Sequence, residues 1–330
     1  MRTLVVTNMY PTPTAPSTGT FVADQVESLR DVGVAIEMVH LARRDNGRSV
    51  YRNLAQRIRR AIAETDPDLL HVMYGGVMAE VATRAARDRP VLVAFCGSDL
   101  LGGDATGIVQ HASTRYSLFA SRRAAHRAAG ITVKSRNLYD ALPEAVDLAK
   151  VWILPDGVDL TLFHPRDKLD CQRLLGWAEQ RRHVLFSSLP SRPEKRFALA
   201  EAAISHLDSG GQVELHALVG VPHDQVPIWI NAADAVLVTS RHEGSPNSVK
   251  EALACNVPVV STDVGDVRER LAGVEGCFIA EDRPEDLAAK LALVLDRNRR
   301  LDARDQIADL GLTVIARRIV DIYERVLRTG

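Results

Sequence analysis

The chain has 330 residues, 46% of them hydrophobic and 25% charged, with 41 Lys and Arg against 42 Asp and Glu. That length is too great for one ordinary domain and comfortable for two. A formal net charge of -1 excludes a global field that would gather nucleic acid or an anionic membrane.

From Met1 and Arg2 the sequence runs straight into a strand-like stretch with no signal-peptide core, and no apolar run reaches bilayer length. A cytoplasmic protein is expected, with any membrane contact peripheral. Arginine clusters at Arg57–Arg60 and Arg115–Arg127 leave room for a local basic patch. Candidate strands come first at Leu4–Thr7, Ile36–Leu41, Leu69–Met73, Val91–Phe95 and Ile131–Val133. Helical patterns lie between them at Phe21–Val32, Leu54–Glu64 and Val77–Arg87. The strands are short, β-branched and apolar on both faces, which is the pattern of a parallel sheet covered by helices. Asp66-Pro67-Asp68 has a D-x-D spacing but precedes a strand, and reads as a turn rather than a metal site. Gly75-Gly76 either borders a pocket or begins a helix. The four cysteines, Cys96, Cys171, Cys255 and Cys277, are scattered without a CxxC pair. This argues against a zinc site and a disulfide framework.

Pro155 and Gly157 break the pattern near Leu154–Asp159, and the alternation then restarts. Val184–Ser187, Val213–Leu218, Ala235–Val238, Val257–Val260 and Cys277–Ile279 read as strands. Phe197–Leu207, Val249–Ala254 and Pro284–Leu295 read as helices. The expectation is an α/β protein of two doubly wound Rossmann-like domains, 1–155 and 156–311, facing each other across a hinged cleft. A last helix, Leu312–Arg328 within 312–330, could pack on either half, including back on the first. Loops beyond the strand C-termini of such sheets are suited to ligands.

The most informative segment runs from Ser240 to Leu253. It leaves the strand Ala235–Val238 and enters an apolar helix, with Ser245 suited to the N-cap and Pro246 to the first helical position. Glu243 and Gly244 then lie in the strand-to-helix loop. The helix N-terminus offers N–H groups and a positive dipole end to a diphosphate. Glu251 falls one to two turns into the helix, where a carboxylate can accept hydrogen bonds from sugar hydroxyls. Two glutamates at this spacing are common by chance. Their place in a strand–Gly–Ser–Pro–helix setting is not.

The His242–Glu251 stretch resembles the E-x7-E signature of retaining glycosyltransferases of the GT-B fold, in the large family four. Other stretches fall in the order that family requires. Pro11–Phe21 resembles its N-terminal acceptor-side loop, Phe95-Cys96-Gly97-Ser98-Asp99 its H-G-S-D loop, and Leu154–Pro165 its interdomain linker. Arg192-Pro193-Glu194-Lys195 resembles its basic phosphate-binding loop, and Ala232-Ala233-Asp234 precedes the donor-loop strand as in the family.

The resemblance implies that Glu243 contacts donor sugar hydroxyls and that Glu251 holds the nucleotide ribose. Gly244, Ser245, Pro246 and Asn247 shape the loop, and amides around Ser248 and Val249 meet the diphosphate. Arg192 and Lys195 would neutralise the leaving phosphate, for which fixed cations and a helix N-terminus are a physical alternative to a metal; a solvated loop is the competing reading. Gly19 and Thr20 stand where the first helix can approach the donor phosphates, although a plain turn glycine explains Gly19 equally well.

Cys96 departs from the family histidine, and a thiol is a weak donor, mostly neutral at its ordinary pKa. It is a tolerated variation beside Ser98 and Asp99, a mark of reduced activity, or a shifted alignment. The resemblance implies retaining, metal-independent transfer from a nucleotide sugar, a UDP-sugar by family frequency, with no cofactor. The acceptor would be a hydroxyl of a glycan, glycolipid or small molecule, as in cell-surface polysaccharide assembly. A GT-B sugar-nucleotide epimerase and a catalytically silent sugar-nucleotide-binding protein are the alternatives.

Overall fold

The structure, a computed structural model, describes residues 1–42, 47–103, 107–208 and 210–329. Gly330, the end of the expected C-terminal helix, lies outside them. The chain forms two compact units, Met1–Gly157 with Leu312–Gly330, and Val158–Gly311.

In the first unit the elements follow as β1 (Arg2–Thr7), α1 (Thr20–Asp31), β2 (Ala35–His40), α2 (Leu54–Thr65), β3 (Leu69–Met73) and α3 (Gly76–Ala85). Then come β4 (Val91–Phe95), α4 (Ser98–Leu101), α5 (Ile108–Arg127), β5 (Gly130–Val133), α6 (Arg136–Asp140) and β6 (Val151–Ile153). The six strands are parallel in the order β2-β1-β3-β4-β5-β6. The order reverses between β1 and β3, which makes the loops after those strands the natural ligand-facing edge. Every residue of β3 and β4 is buried, as a central strand covered on both faces requires. Val6, Leu70, Val72, Val93 and Ile131 form one continuous core with Ile58 of α2 and Met78 and Ala82 of α3.

Among the described residues of this unit, α4, α5, α6 and β6 are not apparent in the sequence pattern. Strand β6 is only three residues long. Helix α5 leaves Ile108, Val109, Tyr116 and Phe119 exposed, so its apolar spacing does not mark one buried face.

The second unit holds α7 (Lys168–Leu175), β7 (Arg182–Phe186), α8 (Phe197–Leu207), β8 (Val213–Ala217), α9 (Val226–Ala232) and β9 (Ala235–Val238). It continues with α10 (Asn247–Ala254), β10 (Val259–Thr262), α11 (Val267–Leu271), β11 (Phe278–Ala280) and α12 (Pro284–Arg297). Its five parallel strands run β11-β10-β9-β7-β8, with the reversal between β7 and β9. Val184, Phe186, Leu237 and Val260 line one face against Ala200 and Ala203 of α8 and Leu287 and Leu291 of α12. The expected strand Val257–Val260 is displaced to Val259–Thr262, because Pro258 has no N–H to give a ladder.

The chain then returns to the first unit as α13 (Leu312–Thr329). There the Tyr323 hydroxyl lies 2.7 Å from His71 Nδ1, both side chains being buried, and the two rings meet edge to face at 5.5 Å. No helix among the described residues is long and apolar enough to cross a membrane.

Candidate functional site

In the second unit the reversal point of the sheet places the loop after β7 beside the loop after β9. The first carries Arg192 and Lys195, the second Glu243. Lys195 Nζ donates to Glu243 Oε1, which also accepts from Ser240 Oγ at 2.7 Å. Both side chains are about five-sixths buried, 16% and 15% exposed, so the pair is better shielded from solvent than a surface ion pair. Arg192 behaves differently. It is exposed and turns its guanidinium onto the neighbouring Glu194, with Nε 2.7 Å from Oε1.

The two loops are held together by residues that the sequence pattern did not single out. Thr239 Oγ1 donates to the Lys195 carbonyl at 2.7 Å, and Arg196 Nε donates to the Thr239 carbonyl at 2.7 Å. Thr262 Oγ1, from the end of β10, donates to the Ser240 carbonyl at 2.7 Å. A third loop closes the arrangement from the other side. Gly265 has φ +60°, and a Cβ there would stand 2.4 Å from the Gly244 carbonyl oxygen. Only glycine satisfies both demands. The signal that was available is the Gly265-Asp266 pair following β10, a strand-to-helix turn of the same kind as the loop after β9.

The expected cap of α10 needs correction. Helix α10 starts at Asn247 with Pro246 as its N-cap, and no side chain caps it. Ser245 cannot serve, because its hydroxyl donates to Asp266 Oδ2 at 2.9 Å; Asp266, 2% exposed, also receives Arg270 Nε at 2.9 Å. Ser245 and Pro246 are buried, while Asn247 and Ser248 are half-buried at the helix mouth. The Val249 N–H turns back to the Pro246 carbonyl at 3.2 Å. Asn247 and Ser248 supply first-turn N–H groups that no preceding helical turn satisfies. Glu251, the fifth residue of α10, is half-buried. This part of the unit therefore combines a cation–carboxylate pair, a helix N-terminus and a carboxylate one turn in. That set can hold a diphosphate and hydroxyl-bearing groups.

In the first unit the residues singled out around Cys96 are tied to the loop after β3. Asp99 is 1% exposed. Its Oδ2 accepts the Gly75 N–H at 2.7 Å, its Oδ1 accepts the Gly97 N–H at 2.7 Å, and the Cys96 N–H reaches both at 3.0 and 3.1 Å. Burial pushes its carboxyl above the ordinary value, against the backbone N–H groups that draw it down. Both Asp99 oxygens are thus engaged by backbone N–H groups, and the carboxylate fastens the loops after β3 and β4. Ser98 Oγ lies 2.7 Å from the Tyr74 hydroxyl. Gly76 opens α3 with φ +71°, so a helix does begin at this pair.

Burial drives the Cys96 thiol well above its usual pKa, with Asp99 and Asp156 pushing the same way and only Lys134 opposing. It is a neutral thiol, not a thiolate nucleophile. Nearby, Lys134 and Asp156 form a buried pair at 2.6 Å that sequence reading missed. Burial, the largest single influence, lowers the Lys134 ammonium, but Asp156 together with Cys96 and Asp99 outweighs it and holds the pKa above its ordinary value.

Gly19 is the N-cap of α1 with φ 70°. A Cβ there would stand 2.4 Å from the Met9 carbonyl carbon and 2.7 Å from the Tyr10 nitrogen. The close approach that requires glycine is thus to the chain's own backbone after β1. Thr20 follows as the first, half-buried residue of α1.

Residues 4–162 match the family described as Glycosyltransferase Family 4, and residues 180–297 match Glycosyl transferases group 1. The chain is 28% identical to a D-inositol 3-phosphate glycosyltransferase of Thermobispora bispora, over 58% of this chain and 54% of that protein. It is 26% identical to a Bacillus subtilis glycosyltransferase named for teichuronic acid biosynthesis, over 81% of this chain and 82% of that one. The chain thus spans about half the length of the first relative and about four-fifths of the second. Among solved structures, a sucrose-phosphate synthase of Thermosynechococcus elongatus superposes with a TM-score of 0.82 at 15% identity, covering 100% of both chains. An Anabaena protein in complex with UDP-glucose gives 0.73 at 15% identity, covering 98% of this chain and 99% of that one. At such identities these two likenesses speak for the GT-B fold alone.

Proposed function

We infer that this chain, which belongs to the family 4 glycosyltransferases, moves a sugar from a nucleotide sugar to a hydroxyl acceptor. The observation that carries the reading is the Lys195–Glu243 pair at the sheet reversal of the second unit, beside the N-terminus of α10. A departing nucleoside diphosphate develops negative charge, and the Lys195 ammonium with the first-turn amides of α10 offsets it. Glu243 and Glu251 accept hydrogen bonds from the sugar and the ribose.

Transfer proceeds with retention. The acceptor oxygen bonds to the anomeric carbon on the face from which the diphosphate leaves, and the leaving phosphate takes the acceptor's proton. No metal is needed for this step, since fixed cations supply the compensating charge. A UDP-sugar is the favoured donor, a choice supported by the UDP-glucose held by the Anabaena protein of like fold. The acceptor is a glycan, a lipid-linked sugar or a small molecule.

A second reading rests on Cys96, a neutral thiol where the family has histidine: a protein that binds sugar nucleotides without turning them over. Labelled UDP-sugars and GDP-sugars, offered with a panel of acceptors, separate the two readings. Release of UDP or formation of a glycoside supports the enzyme, and binding without turnover supports the silent form. Replacing Glu251 with Ala should weaken UDP-sugar binding by at least about tenfold, roughly 1.4 kcal/mol. An unchanged Kd would remove the donor-site assignment.

A further inference from the structure

Three potential ligand atoms converge on the face of the second sheet that carries α7 and α9, away from the loops after its strand C-termini. His183 is the second residue of β7 and Glu214 the second of β8, and they are direct partners across the parallel ladder. His216 lies two residues beyond Glu214, so the strand repeat returns it to the same face. His183 Nδ1 and His216 Nε2 are 2.9 Å apart, His183 Nδ1 and Glu214 Oε2 3.5 Å, and His216 Nε2 and Glu214 Oε2 3.6 Å.

A triangle with those sides has its centre about 1.9 Å from every corner. Three ligands of a tetrahedral ion with bonds of about 2.0–2.1 Å describe a triangle of nearly that radius, the ion standing roughly 0.7 Å off its plane. The ligand atoms are thus already at metal-site separations without any rearrangement.

The surroundings fit as well. His183 Nε2 lies 2.9 Å from the Ala178 carbonyl oxygen. A carbonyl only accepts, so Nε2 carries the ring proton and Nδ1 presents a lone pair toward the other two groups. Arg181 holds the second oxygen of Glu214, at 2.7 Å from Oε1, leaving Oε2 turned to the histidines. The Trp177 ring stacks on His216 at 3.6 Å with an interplanar angle of 10°, fixing the orientation of that imidazole. His183 is fully buried, while the side chains of His216 and Glu214 are 17% and 31% exposed. An ion therefore has a path from solvent, and a water can complete its coordination.

We propose that His183, Glu214 and His216 form a binding site for one divalent transition-metal ion of the Zn²⁺ class, tying the edge strand β8 to β7. Two imidazoles and one carboxylate suit Zn²⁺, and exclude Mg²⁺ and Ca²⁺, which take oxygen ligands. The site is structural. It lies apart from the Lys195–Glu243 pair and takes no part in sugar transfer, so it stands or falls independently of the proposed function. Binding moves the proton of His216 from Nε2 to Nδ1, which frees the lone pair that faces the ion.

Titrating tag-free, chelator-treated full-length protein with ZnCl₂ by calorimetry tests the assignment. The expected result is one ion per chain with a Kd of roughly 1 µM or below. Saturation should raise Tm by several °C, on the order of what ligand linkage gives at a hundredfold excess over Kd. Co²⁺ should show the intense visible absorption of a tetrahedral site. Glu214→Gln and His216→Gln should each weaken binding at least tenfold and abolish the Co²⁺ band. His206→Gln, at an exposed histidine paired with Glu285, should change neither. Because Glu214 is partly exposed, its Gln variant is expected to fold, which circular dichroism checks. No saturable binding below about 100 µM, or one-to-one binding that survives both ligand variants, would overturn the proposal.

Discussion

Lys195 and Glu243, separated by 48 positions in the chain, form an ion pair in the second unit with each side chain about five-sixths buried. Each belongs to a loop that leaves the C-terminal end of a strand flanking the sheet reversal. The carboxylate thus neutralises the cation proposed to meet the leaving phosphate.

Changing the carboxylate to an amide separates the two roles. In Glu243→Gln the Lys195 charge is no longer offset, so UDP should bind more tightly, by about 1 kcal/mol or roughly fivefold. Sugar transfer should fall by on the order of 10² because the proposed sugar contact is weakened. Lys195→Met should weaken UDP and slow transfer together. Calorimetry with UDP and initial rates with the intact donor measure the two effects. A Glu243→Gln enzyme whose affinity for UDP is unchanged or lower would mean that the pair is not an anion subsite.

The donor loop is also predicted to depend on a glycine outside it. Gly265→Ala must place a methyl group 2.4 Å from the Gly244 carbonyl oxygen at φ +60°. The left-handed backbone alone costs roughly 1–2 kcal/mol, and the clash displaces the loop that carries Glu243. Gly33, with φ +90° and nothing within 4 Å of its would-be Cβ, is the control for backbone strain without a clash. Both alanine variants should lose stability in urea, but only Gly265→Ala should weaken UDP-sugar binding, by roughly tenfold or more. Equal donor affinities in the two variants would contradict this.

What the sequence reveals and what it hides follow from the range of the interactions. Leu69–Met73 and Val91–Phe95 are buried runs whose composition identifies them locally, and the structure reproduces their bounds. The loop after β9 is legible because Gly, Ser and Pro mark a strand-to-helix turn. Its neighbours are not. Arg196, Thr239, Thr262 and Asp266 act by hydrogen bonds between segments distant in sequence, and no local pattern encodes such bonds. Ser245 illustrates the same limit from the other side. Its type favours a helix cap, but a buried carboxylate 21 residues away takes its hydroxyl. The His183, Glu214 and His216 convergence needs the β7–β8 register, which spacing alone cannot supply.

The loops of the first unit should come apart when Asp99 loses its charge. Asp99→Asn puts an NH₂ group where one oxygen accepts backbone N–H groups from Gly75, Cys96 or Gly97. Donor then faces donor in a buried site. Two hydrogen bonds to a charged acceptor are lost or weakened, and roughly 2–4 kcal/mol of stability should go with them. Urea midpoints for the two proteins give the difference directly. A loss below about 1 kcal/mol would show that the carboxylate does not hold the loops together.

Acid stability should be governed in part by His71. Burial, aided by the nearby Lys134 ammonium, pulls its imidazole down to about 3 from an ordinary value of 6.5. The folded state therefore keeps His71 neutral through a range in which the unfolded chain binds a proton. Stability from this group is complete above pH 6.5 and is lost as pH falls toward 3. The loss approaches about 1.4 kcal/mol per pH unit within that window, so it should reach about 2 kcal/mol by pH 5. His71→Gln retains an acceptor for the Tyr323 hydroxyl, 2.7 Å from His71 Nδ1 in the native protein, and has no proton to take up. Its unfolding free energy should be lower than that of the native protein at pH 7 but flatter between pH 6.5 and 5, a range above most carboxylate titrations. Urea unfolding at half-unit steps of pH yields both slopes. Parallel lines for the two proteins would show that His71 is not the group whose protonation opposes folding.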